Sequence, residues 1–484
     1  MEKNYNKRIY LSTALKITLS CLILLFLTQC ALFETHKPDA PLSTPPSTPP
    51  LTPSPAPSPK YTIKVTDIQG ISIKPSGEVS VDKGKDQTFT ITPQSGYKLI
   101  DVSVDGQSVG AVLTYTFTNI TSNHTITAKS KIFYESTITG GDRVSIAIKS
   151  DGTIWAWGDN PMQYRGTYRT KNPTQIAGLS DMKAVALGGN HTIAVKTDGT
   201  VWAWGSNWLG VLGDGTETDR STPVQVIGLS NVVAVGAGAQ HSIALKTDGT
   251  VWTWGYNDYG ALGDGTSDKN AHSTPQQVAG LTNITKIAGG YRHNLALKSD
   301  GTLWAWGGNS QGQLGDGTTT EHWTPVKVLS DVKAITGGYD GTVALKTDGT
   351  VWVWGGNYFG QLGDGTKINR LTPVQVIGIS NVKAIAQGFY HTLALKTDGT
   401  IWAWGGYAVA GQIGNGSASM DPVPPVMVNG LTNIIAIGSG YVHSLAIKED
   451  GTIWAWGAND SWQLGDGTTI NRSNPVQVND LNLN

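Results

Sequence analysis

Five histidines, His191, His241, His293, His391 and His443, occupy one recurring position, which Val144 and Gly341 fill in two further copies. Imidazole is a common metal ligand, so a ring of them could hold an ion. Equivalent atoms on separate repeat units lie too far apart for bonds of about 2 Å unless all point to a common axis, and two positions carry no ligand. These residues therefore read as structural hydrogen-bonders to a neighbouring turn. The recurring acids Asp214, Asp264, Asp316, Asp364 and Asp466, with Asn415, follow the same logic. Calcium needs several oxygens in one loop, and no D-x-[DN]-x-[DN]-G run occurs, so they read as side-chain-stabilised turns. Gly308-Asn309-Ser310-Gln311-Gly312 matches the nucleophile elbow G-x-S-x-G, but that elbow needs a strand followed by a helix. No phosphate loop, H-E-x-x-H or paired C-x-x-C is present.

The elements that position these residues repeat. Asp-Gly recurs at Asp151, Asp198, Asp248, Asp300, Asp348, Asp398 and Asp450, at intervals of 47, 50, 52, 48, 50 and 52 residues. Periods of this size mark a repeat architecture. Each unit reads as four short strands, for example 382–388, 391–396, 400–405 and 424–428. The Asp-Gly between the second and third is a hairpin signal because both residues tolerate positive φ. Four antiparallel strands per period describe a propeller blade, and seven close a ring. Fourteen of the 17 tryptophans form seven Trp-x-Trp pairs, from Trp155/Trp157 to Trp454/Trp456. Residues two apart on a strand share a face, so each pair can pack on the neighbouring blade while a small residue such as Ala203 faces the other way. The alternative, sugar stacking on exposed rings, fits regular occurrence in every blade less well.

The composite G-x-x-H-[ST]-x-A-[LIV]-K-x-D-G-[TS]-[VIL]-W-x-W-G-x-N-x-x-G-x-L-G-D-G-T, followed by P-V-x-V, resembles the regulator of chromosome condensation repeat family across residues 133–484. The resemblance implies a seven-bladed β-propeller. Repeat one departs from it, since its NPMQYRGTYRTKNPTQI lacks the Leu-Gly-Asp-Gly piece.

Three segments precede the repeats. Residues 1–29 read as a secretory signal, with Lys3, Lys7 and Arg8 before an apolar run from Ile17 to Leu27. The run ends in Leu27-Thr28-Gln29-Cys30, which resembles the lipobox of bacterial lipoproteins and implies acylation of Cys30. Both cysteines, Cys21 and Cys30, lie here, so the mature chain forms no internal disulfide. Residues 30–60 form a Pro-rich tether, with ten of the 22 prolines between Pro38 and Pro59. At about 3.1 Å per residue it reaches about 70 Å from a membrane. Residues 61–132 alternate apolar and polar positions and resemble the small β modules of bacterial cell-surface proteins. The fold class is therefore all-β, a seven-bladed β-propeller preceded by a small β-sandwich-like module.

Formal net charge is −1, and removing the signal leaves no basic field to attract nucleic acid. Recognition must come from residues that break the repeat. Two residues before the histidine position the chain reads Asp142, Gly189, Ala239, Tyr291, Tyr339, Phe389 and Tyr441. The loop after Trp-Gly-x-Asn emerges on the same face and adds Trp208, Tyr256, Tyr259, Tyr358, Phe359, Tyr407 and Trp462; Tyr390, Arg292, Asp258 and Asp340 accompany them. Such a rim reads as a partner-binding surface, or as rings that fill gaps between loops. The expectation is a non-enzymatic, exported, membrane-anchored lipoprotein of the bacterial outer membrane or cell surface, presenting a propeller face to a protein or other macromolecule in adhesion, envelope interaction or inhibition. It uses no metal, nucleic acid or small-molecule cofactor. Two alternatives are guanine nucleotide exchange, implied by the family's nuclear members, and a propeller-based polysaccharide lyase or hydrolase, which needs convergent carboxylates or histidines at the axis.

Overall fold

The computed structural model describes residues 58–66, 68–94, 97–132, 137–159, 169–406, 410–417 and 424–484. The signal, Cys30, nearly all of the tether and Tyr407 lie outside them. Contacts divide the chain into 1–58 and 59–484. Within the second unit, the strands from Lys60–Val65 to His124–Ile132 form a five-stranded and a three-stranded sheet. Ile63, Phe89, Ile91, Val102 and Ile126 fill the core between them.

Seven four-stranded antiparallel sheets follow. They span 137–175, 182–225, 232–277, 284–329, 332–375, 382–427 and 434–482, and are numbered blades 1 to 7. Blade 2 is typical, with strands Met182–Leu187, His191–Lys196, Val201–Gly205 and Arg220–Gln225 in spatial order. The first strands of successive blades lie side by side, blade 7 against blade 1 included, so the ring is closed.

Alternation within the third strand builds the core between blades. The second tryptophan of every pair is at most 1% exposed. Trp204 joins Ile146, Ile148 and Ile154 of blade 1. Ala203, on the opposite face, meets Trp254 of blade 3. The same arrangement recurs round the ring, so each tryptophan seals one boundary and each small residue admits the next ring. The first tryptophan of each pair is half-buried with a lysine over its ring, from Lys346 on Trp352 at 4.7 Å to Lys149 on Trp155 at 5.9 Å.

The Asp-Gly hairpins correct one expectation. Only the glycine adopts positive φ, 82° at Gly199 and 80° at Gly152. The aspartate stays out of the left-handed region because its carboxylate has another task. Asp198 Oδ1 accepts the Thr200 N–H at 2.8 Å and its hydroxyl at 2.7 Å, and the other hairpins repeat the N–H bond.

The last residues close the circle. In blades 2 to 7 the residue opening the first strand donates its N–H to the hairpin glycine of the blade before, as Val232 does to Gly199. For blade 1 that place is taken by the C-terminus: Leu483 N–H donates to Gly451, and Ser150 N–H donates to the Leu483 carbonyl. Leu483 is fully buried beside Ile138 and Trp157.

Candidate functional site

The second strand opens on the repeated histidine, and each histidine locks two blades together. His191 Nε2 meets Ser242 Oγ of the next blade at 2.9 Å, and that hydroxyl donates to the Val211 carbonyl at 2.8 Å. The hydroxyl has spent its proton, so the imidazole must donate from Nε2. His293 with Thr342, His391 with Ser444 and His443 with Ser145 repeat the bond, and His241 donates to Asn294 Oδ1 at 3.0 Å. Trp254 Nε1 donates to the same Val211 carbonyl at 2.8 Å. The glycine of Gly-x-x-His is required because a Cβ at Gly188 would fall 2.1 Å from His191 Cε1. Burial lowers all five imidazole pKa values, to about 3 for His191, His293, His391 and His443 and about 4 for His241. These are neutral struts.

Two boundaries lack the strut. Where Gly341 replaces the histidine, Gln387 from blade 6 occupies the room, and a Cβ at Gly341 would lie 2.8 Å from its Nε2. Where Val144 replaces it, Thr192 Oγ1 and Trp204 Nε1 are buried without partners. Repeat one also lacks the loop piece that elsewhere supplies the carbonyl. A groove of about 550 Å3, lined by Ile176, Trp202 and Pro223, lies between these blades.

The aspartates of the Leu-Gly-Asp-Gly loops stabilise turns. Asp214 Oδ1 accepts the Thr216 N–H and hydroxyl, and its Oδ2 accepts Arg220 Nε at 2.7 Å. Asp364 with Arg370 and Asp466 with Arg472 repeat the pair, His322 takes the arginine's place on Asp316, and Asn415 caps Ser417. The G-x-S-x-G match is part of such a loop: Asn309 holds it by donating to Asp316 and accepting from Leu314 N–H, and Ser310 lies exposed in the turn.

The irregular residues gather at the mouth of the axial channel. The channel holds about 320 Å3 and is lined by the seven first strands, with no charged side chain among its described lining residues. Tyr291, Tyr339, Phe389 and Tyr441, from blades 4 to 7, form one cluster at its end. Ring centroids are 4.3 Å apart for Tyr291–Tyr339, 4.5 Å for Tyr339–Phe389 and 3.4 Å for the stacked pair Phe389–Tyr441. Main-chain bonds fix the loops beneath: Ala239 N–H to Tyr291, Tyr291 N–H to Gly338, Phe389 N–H to Tyr441 and Tyr441 N–H to Gly141. Tyr390 extends the cluster to Phe359 at 4.4 Å. Arg292 lies over Tyr259 at 4.3 Å and Tyr291 at 5.5 Å. Burial raises the Tyr441 and Tyr339 hydroxyl pKa values, and nearby Asp142 and Tyr291 respectively add to this. Burial also raises the Asp340 carboxyl, against the opposing pull of Arg292.

Other rim residues stand apart from this cluster. Trp208 is 57% exposed on blade 2, and Tyr358 is 61% exposed with its hydroxyl on Gln311. Tyr256 packs against the core between blades 2 and 3. Trp462 lies beside Arg169 at the closing boundary, and takes φ 62° where equivalent loops place Gly210, Gly260 or Gly411. A bulky side chain in that region is strained, a feature the sequence signalled by replacing a loop glycine. Gln387, which lines the channel with both amide atoms unpartnered, was not singled out from sequence. Its signal was the missing histidine at Gly341.

Comparison with known proteins gives the same architecture. The chain is similar to yeast RCC1 (Prp20) in its complex with Kap60, with a TM-score of 0.61 and 25% identity over 72% of this chain and 85% of that one. It is similar in fold to human WBSCR16, with a TM-score of 0.60 and 22% identity over 70% of this chain and 94% of that one. In sequence it is 29% identical over 195 residues to the ultraviolet-B receptor UVR8 of Arabidopsis thaliana, covering 39% of this chain and 44% of the receptor. It is 42% identical over 57 residues to the mouse secretion-regulating guanine nucleotide exchange factor, 12% of each chain. The chain thus spans less than half the length of these curated relatives. The family model described as RCC1-like domain matches residues 163–484, beginning after the first three strands of blade 1. With more than half of its length matched, the chain belongs to the RCC1-like domain family.

Proposed function

We propose that this chain is a non-enzymatic binding protein, exported and held at a membrane surface through Cys30, whose propeller presents the rim of blades 4 to 7 to a protein partner. The observation that carries this reading is the ring cluster Tyr291, Tyr339, Phe389 and Tyr441, at a repeat position that varies from blade to blade while the histidine beside it recurs. The scaffold repeats and the rim does not, as expected for a recognition surface on a structural frame. The tilted and stacked rings cover one another's faces, which favours contact with protein side chains over stacking on sugars. Yeast RCC1, solved with Kap60, offers a precedent for a protein partner.

Guanine nucleotide exchange is the second reading, favoured by the short match to the mouse exchange factor. Blade periods of 47 to 52 residues leave no room for an added element that could pry a nucleotide from a GTPase, and export would separate the chain from a cytosolic one. A lyase or hydrolase would need acids or histidines converging on the channel, where the described lining residues are uncharged.

Capture of partner by the full chain, compared with a Tyr291/Tyr339/Tyr390/Tyr441 alanine version, tests the proposal. The variant is expected to lose capture while keeping its β-sheet circular dichroism, with a melting temperature lowered by the lost ring packing. Undiminished capture rejects the rim, and turnover of a glycan by the native chain would restore the enzyme reading.

A further inference from the structure

Six arginines lie among the described residues, and five have an aspartate within reach. Arg169, Arg220, Arg370 and Arg472 approach Asp159, Asp214, Asp364 and Asp466 at 2.6 to 2.8 Å, and Arg143 lies 4.0 Å from Asp142. Arg292 has no such ion pair. It is half-buried, and its Nε is buried without a hydrogen-bond partner. Its guanidinium lies over the rings of both Tyr259 of blade 3 and Tyr291 of blade 4. Gly308 leaves room for that stack, since a Cβ there would lie 3.1 Å from Arg292 Cβ and 3.6 Å from Tyr259 Cβ.

A cation packed on two rings has already lost much of the rotamer freedom that binding would otherwise consume, while its terminal Nη N–H groups, unlike the buried Nε, stay available. Asp340 interacts with Arg292 electrostatically but outside ion-pair distance. Asp258, next to Tyr259 in the chain, lies 4.0 Å from Lys269. An unpaired, pre-oriented fork beside an apolar ring cluster is complementary to a carboxylate flanked by an apolar side chain.

We propose that Arg292 receives a carboxylate of the partner protein, from an Asp or Glu side chain, while a neighbouring apolar residue of the same segment rests on Tyr291 and Tyr339. This rests on the reading of the rim as the partner face. A carboxylate fits better than a phosphate because a single arginine faces the site and Asp340 adds negative charge, so a dianion would lack a second cation.

The test is selection of a displayed library of short random peptides on the full chain, with counter-selection on Arg292→Gln. Peptides bound by the native chain and rejected by Arg292→Gln are expected to share an Asp or Glu beside an apolar residue. For one such peptide, Arg292→Gln should weaken binding about 10- to 100-fold, the worth of a charged hydrogen bond. Arg292→Lys should recover little of it, because the stacked fork is lost. Replacing the peptide's acid by its amide should weaken native binding equally and add no further loss on Arg292→Gln. Acid-free peptides, or binding indifferent to Arg292→Gln, overturn the carboxylate. If those peptides still need the four rim tyrosines, the partner face stands without it; if they need neither, or none is enriched, both fall.

Discussion

Because Ser145, Ser242, Thr342 and Ser444 each give their hydroxyl proton to a loop carbonyl, the facing imidazole has one permitted tautomer. Its other nitrogen is buried without a partner at His293, His391 and His443, so a second proton would add an unsolvated charge. This makes the propeller sensitive to acid. The folded-state pKa values, about 3 to 4, lie below the unfolded value of about 6.5. Between them the unfolded chain binds more protons, so the contribution is complete above about pH 6.5 and is lost as pH falls through the folded values of about 4 to about 3. Each histidine then costs about 2 kcal/mol at pH 5 relative to neutrality. Thermal unfolding should show a midpoint about 10 °C or more lower at pH 5 than at pH 7, with a shallower fall in His293→Gln. An unchanged midpoint would contradict the neutral struts. The recurrence of histidine was plain in the sequence and a hydrogen bond to a neighbouring turn could be inferred, but the bond goes instead to a side chain on the second strand of the next blade. That partner could not be inferred, because it is the Ser, Thr or Asn that follows the next unit's own histidine position, about 50 residues on.

Within the blade, the Trp-x-Trp strand was legible because alternation alone assigns the faces, and Ala203 against Trp254 follows that alternation. The aspartate of the hairpin was misassigned because Asp-Gly suits two turn geometries, and the Thr two residues on decides between them. Repetition supplies an internal control for the energetics. Trp354 Nε1 donates to Gln313 at 3.0 Å, whereas Trp204, at the equivalent position, has no acceptor. Trp354→Phe and Trp204→Phe remove nearly the same buried area, so their difference isolates the hydrogen bond. Denaturant unfolding should find Trp354→Phe more destabilising by about 1 kcal/mol. Equal costs would mean that ring packing alone holds the blades together.

Across the whole molecule, the period read from Asp-Gly spacing foretold seven sheets, and the ring closes as seven. Its closure by Leu483 was less visible, since the terminal Asp480-Leu481-Asn482-Leu483 copies only the opening of another repeat. The rim was legible as a set of unrepeated aromatics, but not which of them would meet: four loops converge on the channel mouth, while Trp208 and Tyr358 stay apart. That convergence underlies the central claim, that the repeated residues hold the circle and the unrepeated rim of blades 4 to 7 recognises the partner. Hydroxyl-radical footprinting of the captured complex tests it most directly. The account predicts protection confined to Tyr291, Arg292, Tyr339, Phe389, Tyr390 and Tyr441, with the Asp-Gly hairpins on the opposite face as reactive as in the free chain. Protection of those hairpins, with the rim tyrosines unprotected, would contradict it.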